Sequence, residues 1–131
     1  MESKENIVTN ENEVLDFRAA AIEIGKTLAD HKGLNVVVLD LCEKHIWTDY
    51  FVIATATSSA HSGGLEKYAL ERIAELGLSK YRVNRRNRDG EEWKLIDCGN
   101  LVIHIMTETA RKFYELEKLM YDCKNILQLA E

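Results

Sequence analysis

The chain contains no proline, so its turns must rest on Gly, Asn, Asp and Ser. It has three cysteines, Cys42, Cys98 and Cys123, at wide spacings and without a CxxC. An odd count without paired spacing suggests neither a zinc site nor a disulfide framework, which leaves small buried hydrophobes or surface thiols. Long apolar runs are missing too. "NVVVLDL" and "YFVIATA" fall far short of the ~20 residues a membrane span needs. The opening "MESKENIVTNENEV" is polar and acidic, with no apolar segment of signal-peptide type. The expectation is a cytoplasmic protein with no membrane partner. The 17 Lys and Arg are outnumbered by 22 Asp and Glu. The net charge is −5, whereas a general nucleic-acid binder is usually basic. No specific nucleic acid is expected as a partner; docking onto a basic protein stays open.

What is present suits one soluble domain with a real core: 131 residues, 46% apolar and 30% charged. Residues 1–12, rich in Glu, Asn, Ser and Thr, read as a flexible tail ahead of a domain at 13–131. Val14, Phe17, Ala21, Ile24 and Leu28 form one helical stripe, with Asn12 as a candidate cap and Gly33 as its end. "LNVVVLDL" (34–41) and "YFVIATA" (50–56) read as strands buried on both sides. Ser58 or Ser59 can cap a second helix near 59–77, with Gly77 at its C′ position. Strands are expected near 81–84, at 92–98 and at 100–106, with a polar turn at 87–90. The rest reads as helical almost to the end, with Ala110, Phe113, Leu116, Leu119, Met120, Ile126 and Leu127 as its stripe. The order αββαβββα predicts a single α/β (α+β) domain, a central mixed sheet flanked by helices.

The segment "EEWKLIDCGNLVIHIM" (91–106) is the most informative. Gly99-Asn100 suits a two-residue hairpin turn. In that register Cys98 faces Leu101, Ile96 faces Ile103 and Lys94 faces Ile105, a face that can cover a core. The other face pairs Asp97 with Val102, Leu95 with His104 and Trp93 with Met106. Covered by a helix of the same chain, Asp97 and His104 would need hydrogen-bond partners. Left open, Trp93, Leu95 and Met106 would form an apolar patch of the kind that marks a docking site. Both readings stand at this level, and a slip of one residue would exchange the faces.

Catalytic motifs are absent. Ser58, Ser59 and His61 lack a GxSxG, and Gly63-Gly64 belongs to neither phosphate-loop pattern. His31, His45, His61 and His104 form no pair at ligand spacing. Asp40, Asp49 and Asp97 lie at strand ends without the clustered carboxylates that metal-dependent transfer requires. "NRRNR" (84–88) reads as a solvated basic loop or a phosphate contact.

Three blocks resemble one family. "TDYFVIATATSS" (48–59), "EEWKLIDCGNLVIHIM" (91–106) and "ARKFYELEKLMYD" (110–122) are similar, in order, to blocks of the ribosomal silencing factor, or Iojap, family, over roughly 14–123. The resemblance implies a fold like a nucleotidyltransferase domain stripped of its catalytic acids. It implies no enzyme activity and no cofactor. It also implies binding to the large ribosomal subunit through that subunit's fourteenth protein, blocking small-subunit joining and lowering translation when nutrients are short. Organellar relatives assist large-subunit assembly. Carried over by motif, the docking residues are Trp93, Leu95, Asp97, His104 and Met106, extended by Tyr114, Glu117 and Met120. The sequence departs from the pattern at Ala56 for a usual Gly, at Cys98 and Asn100 for Tyr and Asp, and at Met120 for Trp. Two rivals carry over from the residues: a transfer enzyme in which Asp40, Asp49 and Asp97 converge on Mg²⁺, and a homodimer formed through the same patch off the ribosome.

Overall fold

The computed structural model describes residues 16–41, 48–78, 81–87 and 92–129. The expected tail at 1–12, the Asn12 cap and Val14 lie outside them, as do Cys42, His45 and residues 88–90 of the expected turn. The elements are α1 (Phe17–Asp30), β1 (Leu34–Asp40), β2 (Tyr50–Ala56), α2 (Ser59–Glu75), β3 (Arg82–Arg86), β4 (Trp93–Asp97), β5 (Leu101–Thr107), α3 (Glu108–Tyr114), α4 (Leu116–Leu119) and β6 (Lys124–Leu129). They build one mixed sheet in the order β3-β4-β5-β2-β1-β6. Only β2 and β5 run parallel; the other neighbours are antiparallel.

The first two of the three helices that periodicity predicts form, with caps that explain their limits. Asp16 begins α1, its carboxylate accepting the Ala19 N–H at 3.0 Å. At its end Lys32, not Gly33, takes the left-handed conformation, and the Gly33 N–H returns to the Leu28 carbonyl at 2.8 Å. Gly33 is needed for room: a Cβ there would lie 2.8 Å from that same oxygen. Ser58 caps α2, and Gly77 takes a positive φ of 81° just past it.

The continuous apolar runs have a direct cause. Alternate residues of the central strands feed two cores, one on each face. Val36, Val38, Val52, Ala54, Ile103 and Ile105 pack under α1 and α2. Val37, Leu39, Phe51, Ile53, Val102 and Met106 form the second core with Ala110 and Leu116 of the short C-terminal helices.

The C-terminal segment corrects the sequence reading. Its predicted single helix stops at Tyr114, because Glu115 takes a left-handed φ of 50°; one short turn, α4, follows. Ile126 and Leu127, expected on a helical stripe, lie instead in β6, antiparallel to β1. A buried strand cannot leave one edge unpaired, and β6 satisfies it. A register shift between Val38 and Leu39 lets adjacent Ile126 and Leu127 both pack on the first core. The basic stretch is corrected as well, since Asn84, Arg85 and Arg86 belong to edge strand β3 rather than to a loop. No helix among the described residues is long and apolar enough to cross a membrane.

Candidate docking surface

The β4–β5 register is the predicted one: Trp93 pairs with Met106, Leu95 with His104 and Asp97 with Val102. Cys98 N–H donates to the Leu101 carbonyl at 2.9 Å, closing a loop of Gly99 and Asn100. Gly99 takes a positive φ of 86°, and the Asn100 N–H donates to the Cys98 carbonyl at 3.1 Å across it. The Asp97 carboxylate accepts the Gly99 N–H at 2.8 Å, and Asn100 reaches the Asp49 carboxylate at 3.0 Å. Asp97 is thus partly engaged in holding the turn.

The ambiguous face is divided between the two readings. α3 and α4 lie over its β5 half, leaving Met106 with no exposure and His104 with 2%. Neither can be a surface anchor, which corrects the expectation for both. Trp93, Leu95 and Asp97, on β4, stay half-buried beside the covered half.

His104 acts from below. Trp93 donates its indole N–H to Nδ1 of His104 at 3.1 Å, so the neutral ring carries its proton on Nε2. Nε2 itself is buried and has no partner among the described residues. Burial pushes the imidazole down to about 3, and Phe51 meets the ring edge-on at 4.4 Å. A hydrogen bond and an apolar wall therefore fix the imidazole beneath the indole.

Aromatic rings continue outward from Trp93. Tyr114 lies 4.5 Å away between ring centroids, and Phe113 meets Tyr114 at 5.0 Å, nearly perpendicular. Phe113 is 66% exposed and Tyr121 84%, large fractions for such side chains. Met120 is half-buried next to the second core. Glu117, the remaining expected contact, pairs with Arg111 through two carboxylate oxygens, while Arg111 donates to Thr55 Oγ1 at 2.9 Å. Glu117 thus joins α3 to α4 and, through Arg111, to β2.

The stripe puts Phe113 in the core only if one helical phase continues through Glu115, and it does not. No Gly or Pro marks that break, so the sequence held no local signal for it. Tyr121 lies past the end of α4 and showed no pattern.

The candidate catalytic groups are engaged elsewhere. Ser58 Oγ caps α2 by accepting the His61 N–H at 3.0 Å. His61 Nδ1 accepts the Thr57 N–H at 2.9 Å, which leaves Nε2–H to donate to the His31 carbonyl at 3.1 Å. The ring ties the start of α2 to the end of α1. On the α2 side of the hairpin, Lys94 is buried at 3.2 Å from Glu66, which also pairs with Arg85. Burial pushes the Glu66 carboxyl up, but hydrogen bonds from Arg85 and Lys94 outweigh it and hold the group below its usual range. Among the described residues no three His, Cys, Asp or Glu side chains converge as a metal site.

Residues 14–131 match the profile of a family described as "Ribosomal silencing factor during starvation". The chain is 32% identical over 109 residues to the ribosomal silencing factor of Treponema pallidum, covering 83% of this chain and 96% of that protein. It is 32% identical over 93 residues to mouse "Mitochondrial assembly of ribosomal large subunit protein 1", spanning 70% of this chain and 41% of that protein. A crystal structure from Chromobacterium violaceum superposes with a TM-score of 0.64 at 26% identity, covering 82% of this chain and 85% of that one. One from Bacillus halodurans, with a TM-score of 0.59 at 24% identity over 79% of this chain and 92% of that one, shares the fold.

Proposed function

The chain belongs to the ribosomal silencing factor family, and from that premise we propose that it docks on the large ribosomal subunit and blocks joining of the small one. The docking partner is the subunit's fourteenth protein, and the outcome is lower translation when nutrients are short. The observation that carries the site is the run of touching rings Trp93–Tyr114–Phe113, flanked by half-buried Leu95 and Met120. Aromatic side chains grouped in this way are typical interface anchors. An ordinary interface of ~800 Å² per partner suffices for steric exclusion.

Occupancy is the whole mechanism in this reading, without catalysis or a cofactor. The geometry of the strand-end acids supports it. Asp40 pairs with Arg18 at 3.2 Å, Asp49 accepts from Asn100, and Asp97 holds the hairpin turn. The rival transfer activity would show a stoichiometric heat on titration with nucleotide and Mg²⁺.

The test is a sucrose gradient of purified subunits with and without the protein. Co-migration with the large subunit and a smaller joined peak are expected. Protein left at the top with joining unchanged would overturn the proposal. Retained binding by a Trp93→Ala, Asp97→Ala double variant would overturn the site alone. A second reading, large-subunit assembly, is favoured by the printed name of the mouse relative. It predicts precursor particles in cells lacking the protein. The exposed Phe113 and Tyr121 also make the same patch available for a homodimer off the ribosome, which sedimentation of the free protein detects.

A further inference from the structure

β3 is an edge strand with three arginines in five residues and no acid, in a chain of net charge −5. Alternation divides the arginines. Arg85 turns toward α2, where it pairs with Glu66. Arg82, Asn84 and Arg86 share the other face, opposite Asp97, Leu95 and Trp93, and all three are exposed. This is the face that carries the docking patch. Among the described residues no carboxylate is in an ion pair with Arg82 or Arg86. The Arg86 guanidinium lies over the Trp93 ring, 5.7 Å from its centroid. Such stacking orders a guanidinium and leaves its in-plane donors free. A groove of about 330 Å³ is lined by Asn84, Arg85 and Arg86 together with Trp93 and Leu95.

Charged side chains also guard a sheet edge against pairing with another chain. Either sign would serve for that. A one-signed row in an otherwise acidic chain, placed beside the docking patch, calls for a negatively charged partner. Along a strand, positions 82 and 86 are roughly 13 Å apart, enough to meet separate phosphates.

We propose that Arg82 and Arg86, with Asn84 between them, contact backbone phosphates of ribosomal RNA beside the protein-docking patch. The inference rests on the large-subunit docking proposed above, since that subunit is mostly RNA. Contacts of this type fix position and read no base sequence. Arg86 suits a bidentate phosphate contact.

The experiment is co-sedimentation with purified large subunits from about 50 to about 200 mM salt. The Arg82→Gln, Arg86→Gln variant is expected to bind about tenfold more weakly at low salt, and its slope of log affinity against log salt should be shallower by about 2. An Arg82→Lys, Arg86→Lys variant should keep the wild-type slope, because the charge is retained. Lys26→Gln, Lys67→Gln changes the net charge equally on helices of the opposite face and should also keep it. An unchanged slope in the glutamine variant overturns the inference, as does an equal loss in the Lys26, Lys67 control. The same slope change measured on the isolated ribosomal protein would assign the arginines to protein acids and overturn it too. Wild-type protein that never sediments with large subunits overturns the docking proposal, and this inference with it.

Discussion

Trp93 and His104 are joined by a hydrogen bond from the indole N–H to Nδ1, 3.1 Å long, across the β4–β5 pair. One ring is half-buried and the other wholly buried, so the bond links the outer patch to the second core. Replacing His104 with Phe keeps an aromatic ring of somewhat larger volume but strands the indole donor. Unmet buried donors cost about 1–3 kcal/mol. We expect a loss of stability in that range on denaturant unfolding, with a changed Trp93 environment in near-ultraviolet circular dichroism.

The same histidine sets a pH dependence. Burial moves its pKa from 6.5 to about 3. Between these values the unfolded chain binds a proton that the fold does not, so stability is full above 6.5 and falls as pH drops through the window. The slope approaches about 1.4 kcal/mol per pH unit. Wild type should lose melting temperature from pH 6.5 toward 5, and His104→Phe should lose less. Equal slopes would assign the titration to other groups.

Phe113 separates docking from folding. Its ring is 66% exposed, so Phe113→Ala should leave stability within about 0.5 kcal/mol of wild type. Binding to large subunits should weaken by about tenfold, equivalent to about 1.4 kcal/mol. Unchanged binding would remove Phe113 from the interface.

Gly25 tests the placement of β6. A Cβ there would lie 2.9 Å from Val38 Cγ2 and 3.1 Å from Leu127 Cδ2. Gly25→Ala should cost about 1–3 kcal/mol through overpacking. A Leu127→Ala background should recover part of that cost in a double-mutant cycle. Strict additivity would argue against Leu127 packing on α1.

Glu66 and Lys94 are each 7% exposed and form a buried ion pair. Lys94→Met alone leaves Glu66 with only the largely exposed Arg85 for compensation, and should cost about 3 kcal/mol or more. Adding Glu66→Leu should return much of the loss, because two apolar groups then replace two charges. No recovery in the double variant would show that the site cannot repack.

The two-core sheet and the hairpin register were legible because both rest on local rules. Continuous β-branched runs signal burial on both faces, and Gly99-Asn100 fixes which residues of the hairpin share a side. Tertiary structure decided the rest. "KNILQL" carries no strand signal strong enough to outweigh helical phase, and it becomes β6 because β1 has an edge to satisfy. Glu115 breaks the helix without a glycine, so α3 keeps Ala110 inward and Phe113 outward while Leu116 still reaches the second core. The cover of α3 and α4 over β5 also separates half-buried Trp93 on β4 from buried Met106 and His104. Alternation along a strand determines which face a side chain points to; whether that face meets water depends on what a distant segment does, and no local pattern encodes it.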